Sequence, residues 1–122
     1  MAQTILIVDD SASMRQLLAY VLKGEGFDVI EGSDGEEALG KLTGQPIDLI
    51  ISDVNMPKMD GISFVKRVKQ QPRYQNVPVI MLTTESAEQK KYEGRDAGAK
   101  AWVVKPFTPD GLLGAVRKLI AA

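Results

Sequence analysis

Ile5-Leu6-Ile7-Val8-Asp9-Asp10-Ser11-Ala12-Ser13-Met14-Arg15-Gln16-Leu17-Leu18-Ala19-Tyr20-Val21-Leu22 changes its hydrophobic rhythm once, and that change decides the fold class. The apolar run at 5–8 is rich in Ile and Val and shows no strict polar alternation, as suits a strand covered on both faces. From Met14 the pattern becomes helical: Met14, Leu17, Leu18, Val21 and Leu22 fall at i, i+3, i+4, i+7 and i+8. Ser13 and Gln16 have capping-box spacing at the start of that helix, and Gly24 or Gly26 ends it.

The alternation continues outward from this stretch. Further apolar runs occupy 47–51, 77–82 and 101–104, with a weaker one at 27–30. Between them, Ser33 and Glu36 read as a capping box ahead of Ala38, Leu39 and Leu42, with Gly44 and Pro46 as the stop. Gly61 opens a helix with Ile62, Val65 and Val68 at three-residue steps, ending before Pro72. Thr108-Pro109 reads as N-cap and first residue of a last helix whose apolar face is Leu112, Leu113, Val116, Leu119 and Ile120. A helix over 87–97, capped by Ser86 and Gln89, offers mainly Ala87, Tyr92 and Ala97 for burial and is expected to pack most weakly. Strands alternating with helices make right-handed βαβ units. The expected fold is therefore α/β, a doubly wound five-stranded parallel sheet with five helices.

The length of 122 residues, with 44% hydrophobic residues, fits one domain over 1–122. A net charge of −1 gives no basic excess to attract nucleic acid or an anionic bilayer. With no cysteine there is no disulfide framework or thiolate, which fits a reducing cytoplasm; with no histidine there is no imidazole base, ligand or phosphocarrier. The four-residue apolar run near the N-terminus is too short for a signal peptide or membrane span, so a cytoplasmic protein is expected, and separately a monomer.

Ligands of such sheets bind at the carboxyl ends of the strands, so the residues after each strand matter most. They are Asp9 and Asp10, Asp53, Thr83 with Thr84, and Lys105 followed by Pro106. Singly, each has an ordinary reading: acids before a helix, a turn aspartate, a strand-end hydroxyl, a solvated lysine. Together they do not. Three carboxylates converging on one sheet end repel by about 4 kcal/mol per pair at 4 Å and an effective dielectric near 20, which calls for a cation. Hard oxygen donors without sulfur or imidazole suit Mg²⁺, and Asp, Mg²⁺, Lys105 and Thr83 form a set able to handle a phosphoryl group.

Ile7-Val8-Asp9-Asp10, Ile51-Ser52-Asp53-Val54-Asn55-Met56-Pro57-Lys58-Met59-Asp60-Gly61, Met81-Leu82-Thr83-Thr84 and Val103-Val104-Lys105-Pro106-Phe107 resemble the response-regulator receiver domain, in order and from about Thr4 to Ile120. Within it, the chain is most similar to the single-domain, CheY-like chemotaxis regulators. The resemblance implies a flavodoxin-like strand order 2-1-3-4-5. It makes Asp53 the phosphoacceptor, taking the phosphoryl from a phosphohistidine of a partner histidine kinase. It gives Mg²⁺ to Asp10, Asp53 and the backbone carbonyl of Asn55, with Asp9 acting through water. Lys105 is implied to pair with a phosphoryl oxygen, behind a cis Lys105–Pro106 bond, and Thr83 to donate its hydroxyl. Asn55 and Glu85 are implied to tune dephosphorylation. Trp102 stands where the family has Tyr or Phe as an aromatic that turns inward, and its larger ring sets it apart.

The family's logic makes the chain a switch and not a turnover enzyme, with self-catalysed phosphorylation and dephosphorylation only. Haloacid-dehalogenase-like phosphatases use a similar set but need Asp-x-Asp after the first strand, where this chain has Ser11 two residues after Asp9. A flavodoxin needs a neutral phosphate cradle where Asp9 and Asp10 stand. As the sequence ends at its fifth helix, output is expected through protein binding, to a flagellar motor switch protein by resemblance. A phosphorelay shuttle or phosphate sink is the alternative, and a dedicated phosphatase is a further possible partner.

Overall fold

Helices on both faces of the sheet leave its central strands almost no contact with water. The computed structural model describes residues 3–54, 56, 58–83 and 98–120. Its elements are β1 (Thr4–Val8), α1 (Ala12–Gly24), β2 (Asp28–Gly32), α2 (Gly35–Gly40), β3 (Leu49–Asp53), α3 (Gly61–Lys69), β4 (Val79–Thr83), β5 (Ala101–Val104) and α4 (Pro109–Leu119). The five strands pair in parallel in the order β2-β1-β3-β4-β5, as the resemblance implied. The helix expected over 87–97 lies outside the described residues.

Two cores follow from strand alternation. Leu6, Val8, Ile50, Val79 and Met81 face Ala38 of α2 and Phe64, Val65 and Val68 of α3. Ile5, Ile7, Leu49, Ile51, Ile80 and Leu82 face Leu18 and Leu22 of α1 and Leu112 and Val116 of α4. Both faces are covered, which is why β1, β3 and β4 read as unbroken apolar runs while the edge strands β2 and β5 are only partly buried.

Local details correct the sequence reading. The first helix is capped by Ser11, whose Oγ accepts from the Met14 N–H at 3.2 Å, so Ser13 sits inside the first turn. The second is capped by Asp34, whose Oδ1 accepts from the Glu37 N–H at 2.8 Å. Glu37 in turn accepts from the backbone N–H and hydroxyl of Ser33, and those bonds hold its carboxyl below the usual range. Helix α2 stops at Gly40, and Leu42 is buried from a following turn rather than from the helix. The third run is displaced as well: Ile47 is buried outside the ladder, and β3 extends to Asp53, which pairs with Leu82. Thr108 and Pro109 cap and open α4 as the sequence indicated.

Gly61, first residue of α3, approaches β3 more closely than any side chain permits. A Cβ there would lie 2.0 Å from the Asp53 carbonyl oxygen, and the Gly61 N–H donates to the Val54 carbonyl at 2.8 Å. Gly61→Ala must push the end of β3 aside, a backbone shift worth about 3 kcal/mol of stability. Urea unfolding should show the midpoint fall accordingly; an unchanged midpoint would mean that this contact relaxes freely.

Candidate functional site

The chain leaves β1 toward β2 and later returns on the other side as β3, so a crevice opens where their carboxyl ends diverge. Sheet register then decides what lines it. Val8 pairs with Ser52, which sets Asp9 beside Asp53; Thr83 pairs with Val104, which sets Lys105 just past the end of β5. Asp53 and Thr83 are the last residues of their strands and not, as expected, the first beyond them.

One carboxylate oxygen from each of Asp9, Asp10 and Asp53 lies within 4.8 Å of the others. Asp9 and Thr83 are fully buried, Asp53 is 7% exposed and Asp10 is exposed. The Lys105 ammonium sits between two of the acids, 3.2 Å from Asp9 Oδ2 and 3.4 Å from Asp53 Oδ2. Asp9 Oδ1 accepts from the Ser11 N–H at 2.9 Å, so both of its carboxylate oxygens are engaged. Among the described residues, no hydrogen bond or ion pair holds the Asp10 carboxylate. Three acids against one ammonium leave a formal excess of two negative charges. An all-oxygen donor set with that excess fits a hard divalent cation. The Lys105–Pro106 bond is cis, as the resemblance implied.

Asn55 and Glu85 lie outside the described residues. Trp102 does not join the acids: it lies on β5 opposite Met81, packed against the core on the α2 and α3 face. Its indole Nε1 is buried and, among the described residues, has no hydrogen-bond partner. The sequence reading also missed Arg15, whose Nη1 donates to the Asp9 carbonyl at 2.6 Å and whose Nε lies 3.5 Å from Glu31 Oε1. Its only signal was a place in the helical turn after the two acids.

The family model for the response regulator receiver domain matches residues 5–117. The alkaline phosphatase synthesis transcriptional regulatory protein PhoP of Bacillus subtilis is 42% identical over 120 residues, 98% of this chain and 49% of that protein. The chain thus spans about half the length of the curated transcriptional regulators it matches. The chemotaxis protein CheY homolog of Campylobacter jejuni is 39% identical over 110 residues, 88% of this chain and 85% of that one. Among solved structures, the Vibrio cholerae chemotaxis protein CheY4 superposes with a TM-score of 0.94 at 45% identity, covering 98% of this chain and 99% of that chain. The matched stretch takes in the acids, the threonine and the lysine that the sheet gathers at one end, so similarity and geometry describe the same site and the chain belongs to the response regulator receiver domain family.

Proposed function

We propose that the chain is a phosphoacceptor switch in which Asp53 takes a phosphoryl group from a histidine kinase and the modified form is read by a protein target. The observation that carries this reading is the Asp53 carboxylate at the floor of an acidic crevice, 3.4 Å from the Lys105 ammonium and one strand from Thr83. With no histidine among the 122 residues, the phosphohistidine lies outside this sequence. In the transfer, a carboxylate oxygen of Asp53 forms a bond to phosphorus as the histidine N–P bond breaks; later attack by water returns the carboxylate and inorganic phosphate. Lys105 balances charge on the phosphoryl oxygens and Thr83 donates its hydroxyl to one of them. Mg²⁺ held by Asp10, Asp53 and the Asn55 carbonyl, with Asp9 through water, would supply the remaining neutralisation of phosphoryl charge. No sustained phosphatase activity belongs to this reading.

The different engagement of the two acids gives an order of effects. Asp9 is committed to Ser11 and Lys105, whereas Asp10 is open to solvent. Asp10→Ala should weaken Mg²⁺ binding by more than about tenfold, since losing one close charge contact costs more than 1.4 kcal/mol. Asp9→Ala should weaken it less. Titrating both variants with Mg²⁺ checks this, and the reverse order would show the two roles exchanged.

For the target, the full-length likeness to chemotaxis proteins supports the flagellar motor switch, and a cytoplasmic setting goes with it. Among the described residues no helix is long and apolar enough to cross a membrane. The likeness to PhoP favours a second reading, a receiver unit working within a longer regulator. A groove of about 530 Å³ between β5 and α4, lined in part by Trp102, Val103, Asp110 and Ala115, supports β5 and α4 as the surface on which a partner would read the switch.

Trp102 is the only tryptophan, so its fluorescence reports the coupling directly. Beryllofluoride with Mg²⁺ should change the emission maximum or quencher access beyond the effect of Mg²⁺ alone, and Thr83→Ala should reduce that change while leaving Asp53 reactive. The shift needs differential binding of only a few kcal/mol. Identical spectra in protein shown to bind the complex would make Trp102 a static core residue.

A further inference from the structure

Arg15 takes no part in the chemistry above, yet it is placed to govern the geometry of the acids. Its side chain, 19% exposed, spans from the first turns of α1 to Glu31, the penultimate residue of β2, and donates to the Asp9 carbonyl on the way. That carbonyl belongs to the planar peptide unit whose nitrogen is Asp10's own, so fixing it fixes the direction from which the Asp10 residue departs. Every other polar group of Asp9 is also anchored: its N–H donates to the Gly32 carbonyl at 3.2 Å, Oδ1 accepts from Ser11 and Oδ2 from Lys105. Asp10 has no such anchors among the described residues, and its carboxylate inherits its position from Asp9.

Two effects of Arg15 on a cation oppose each other. As a positive charge near three acids it repels a divalent ion; as an anchor it preorganises the ligand that the ion meets first. Glu31 largely neutralises the charge, so the anchoring term dominates. We propose that Arg15 is a positioning residue for the divalent-cation site, orienting Asp10 through the Asp9 carbonyl. The inference rests on Asp9, Asp10 and Asp53 being the Mg²⁺ site.

The test is calorimetric Mg²⁺ titration of the whole chain without a phosphodonor, for the wild type, Arg15→Met, Arg15→Lys and Asp10→Ala, together with thermal unfolding and amide exchange in the absence of Mg²⁺. Arg15→Met should bind Mg²⁺ roughly five- to tenfold more weakly, part of the worth of one charge-assisted hydrogen bond, although it removes a positive charge. Exchange at the Ser11 amide, which donates to Asp9 Oδ1, should rise. Arg15→Lys keeps the charge and one donor but not the fork, and should fall between the two. Arg15→Met binding as tightly as the wild type or more tightly, while Asp10→Ala binds weakly, would overturn the inference and leave the site standing. If Arg15→Met does not fold, wild-type affinity in Arg15→Lys overturns it instead. Undiminished binding by Asp10→Ala would remove the cation site and the inference together.

Discussion

Asp53→Asn is expected to lose acyl-phosphate formation from acetyl phosphate and Mg²⁺ by at least about a thousandfold, the scale seen when a nucleophile is removed. The amide oxygen carries no charge with which to attack phosphorus. It also gives up the ion pair with Lys105 and one of the three carboxylates in the acidic cluster. Folding should survive, because the substitution keeps the shape of the side chain and relieves repulsion with buried Asp9. The measurement is alkali-labile label incorporated per protein with time. Label entering the variant at the wild-type rate would place the phosphoryl on another residue.

Lys105→Ala should accept phosphate about a hundredfold more slowly, the usual consequence of removing one group that stabilises developing oxyanion charge. It should also fail to signal. Lys105 follows directly on β5, and its N–H donates to the Thr83 carbonyl at 2.7 Å, so a bond from its ammonium to the phosphoryl would tie the modified aspartate to the strand that carries Trp102. Because the same ammonium now neutralises Asp9 and Asp53, the variant should bind Mg²⁺ more tightly than the wild type. Comparing partner capture by beryllofluoride-loaded wild type and variant checks the signalling part, and normal capture by the variant would remove Lys105 from the switch.

What could be read in the sequence follows from what short-range pattern encodes. The single change of period between Val8 and Met14 was enough for a covered strand followed by a helix, and Thr108-Pro109 marked the start of α4 correctly because a capping threonine with proline behind it admits few other structures. Strand order needed the resemblance, since periodicity within each strand says nothing about its neighbours. Caps slipped where the motif misled: Ser13 fits the capping-box spacing better than Ser11, whose third following residue is Met14, and Ser33 fits it as well as Asp34, so only the backbone path selects the side chain that meets a free N–H.

The site was legible to the extent that its chemistry sits at strand ends, a position that sequence can mark. Asp9, Asp10, Asp53, Thr83 and Lys105 were singled out this way, and the sheet brings them to one end. The division between Asp9 and Asp10 in burial and bonding was not, because adjacent identical residues differ only in which way the turn points them. Nor was Arg15, whose partners are a main-chain oxygen and a glutamate on β2, neither marked by spacing in the sequence. Gly61 announced a helix start, but its contact with the Asp53 carbonyl exists only once α3 packs against β3.

The most direct test of the central claim is chemical. Protein treated with acetyl phosphate and Mg²⁺ is reduced with borohydride, which converts an aspartyl phosphate to homoserine, and its peptides are sequenced by mass spectrometry. Homoserine at position 53, dependent on the phosphodonor and absent from Asp53→Asn, is the expected result. Homoserine at Asp9 or Asp10, or none in protein that has taken up alkali-labile phosphate, would contradict the account.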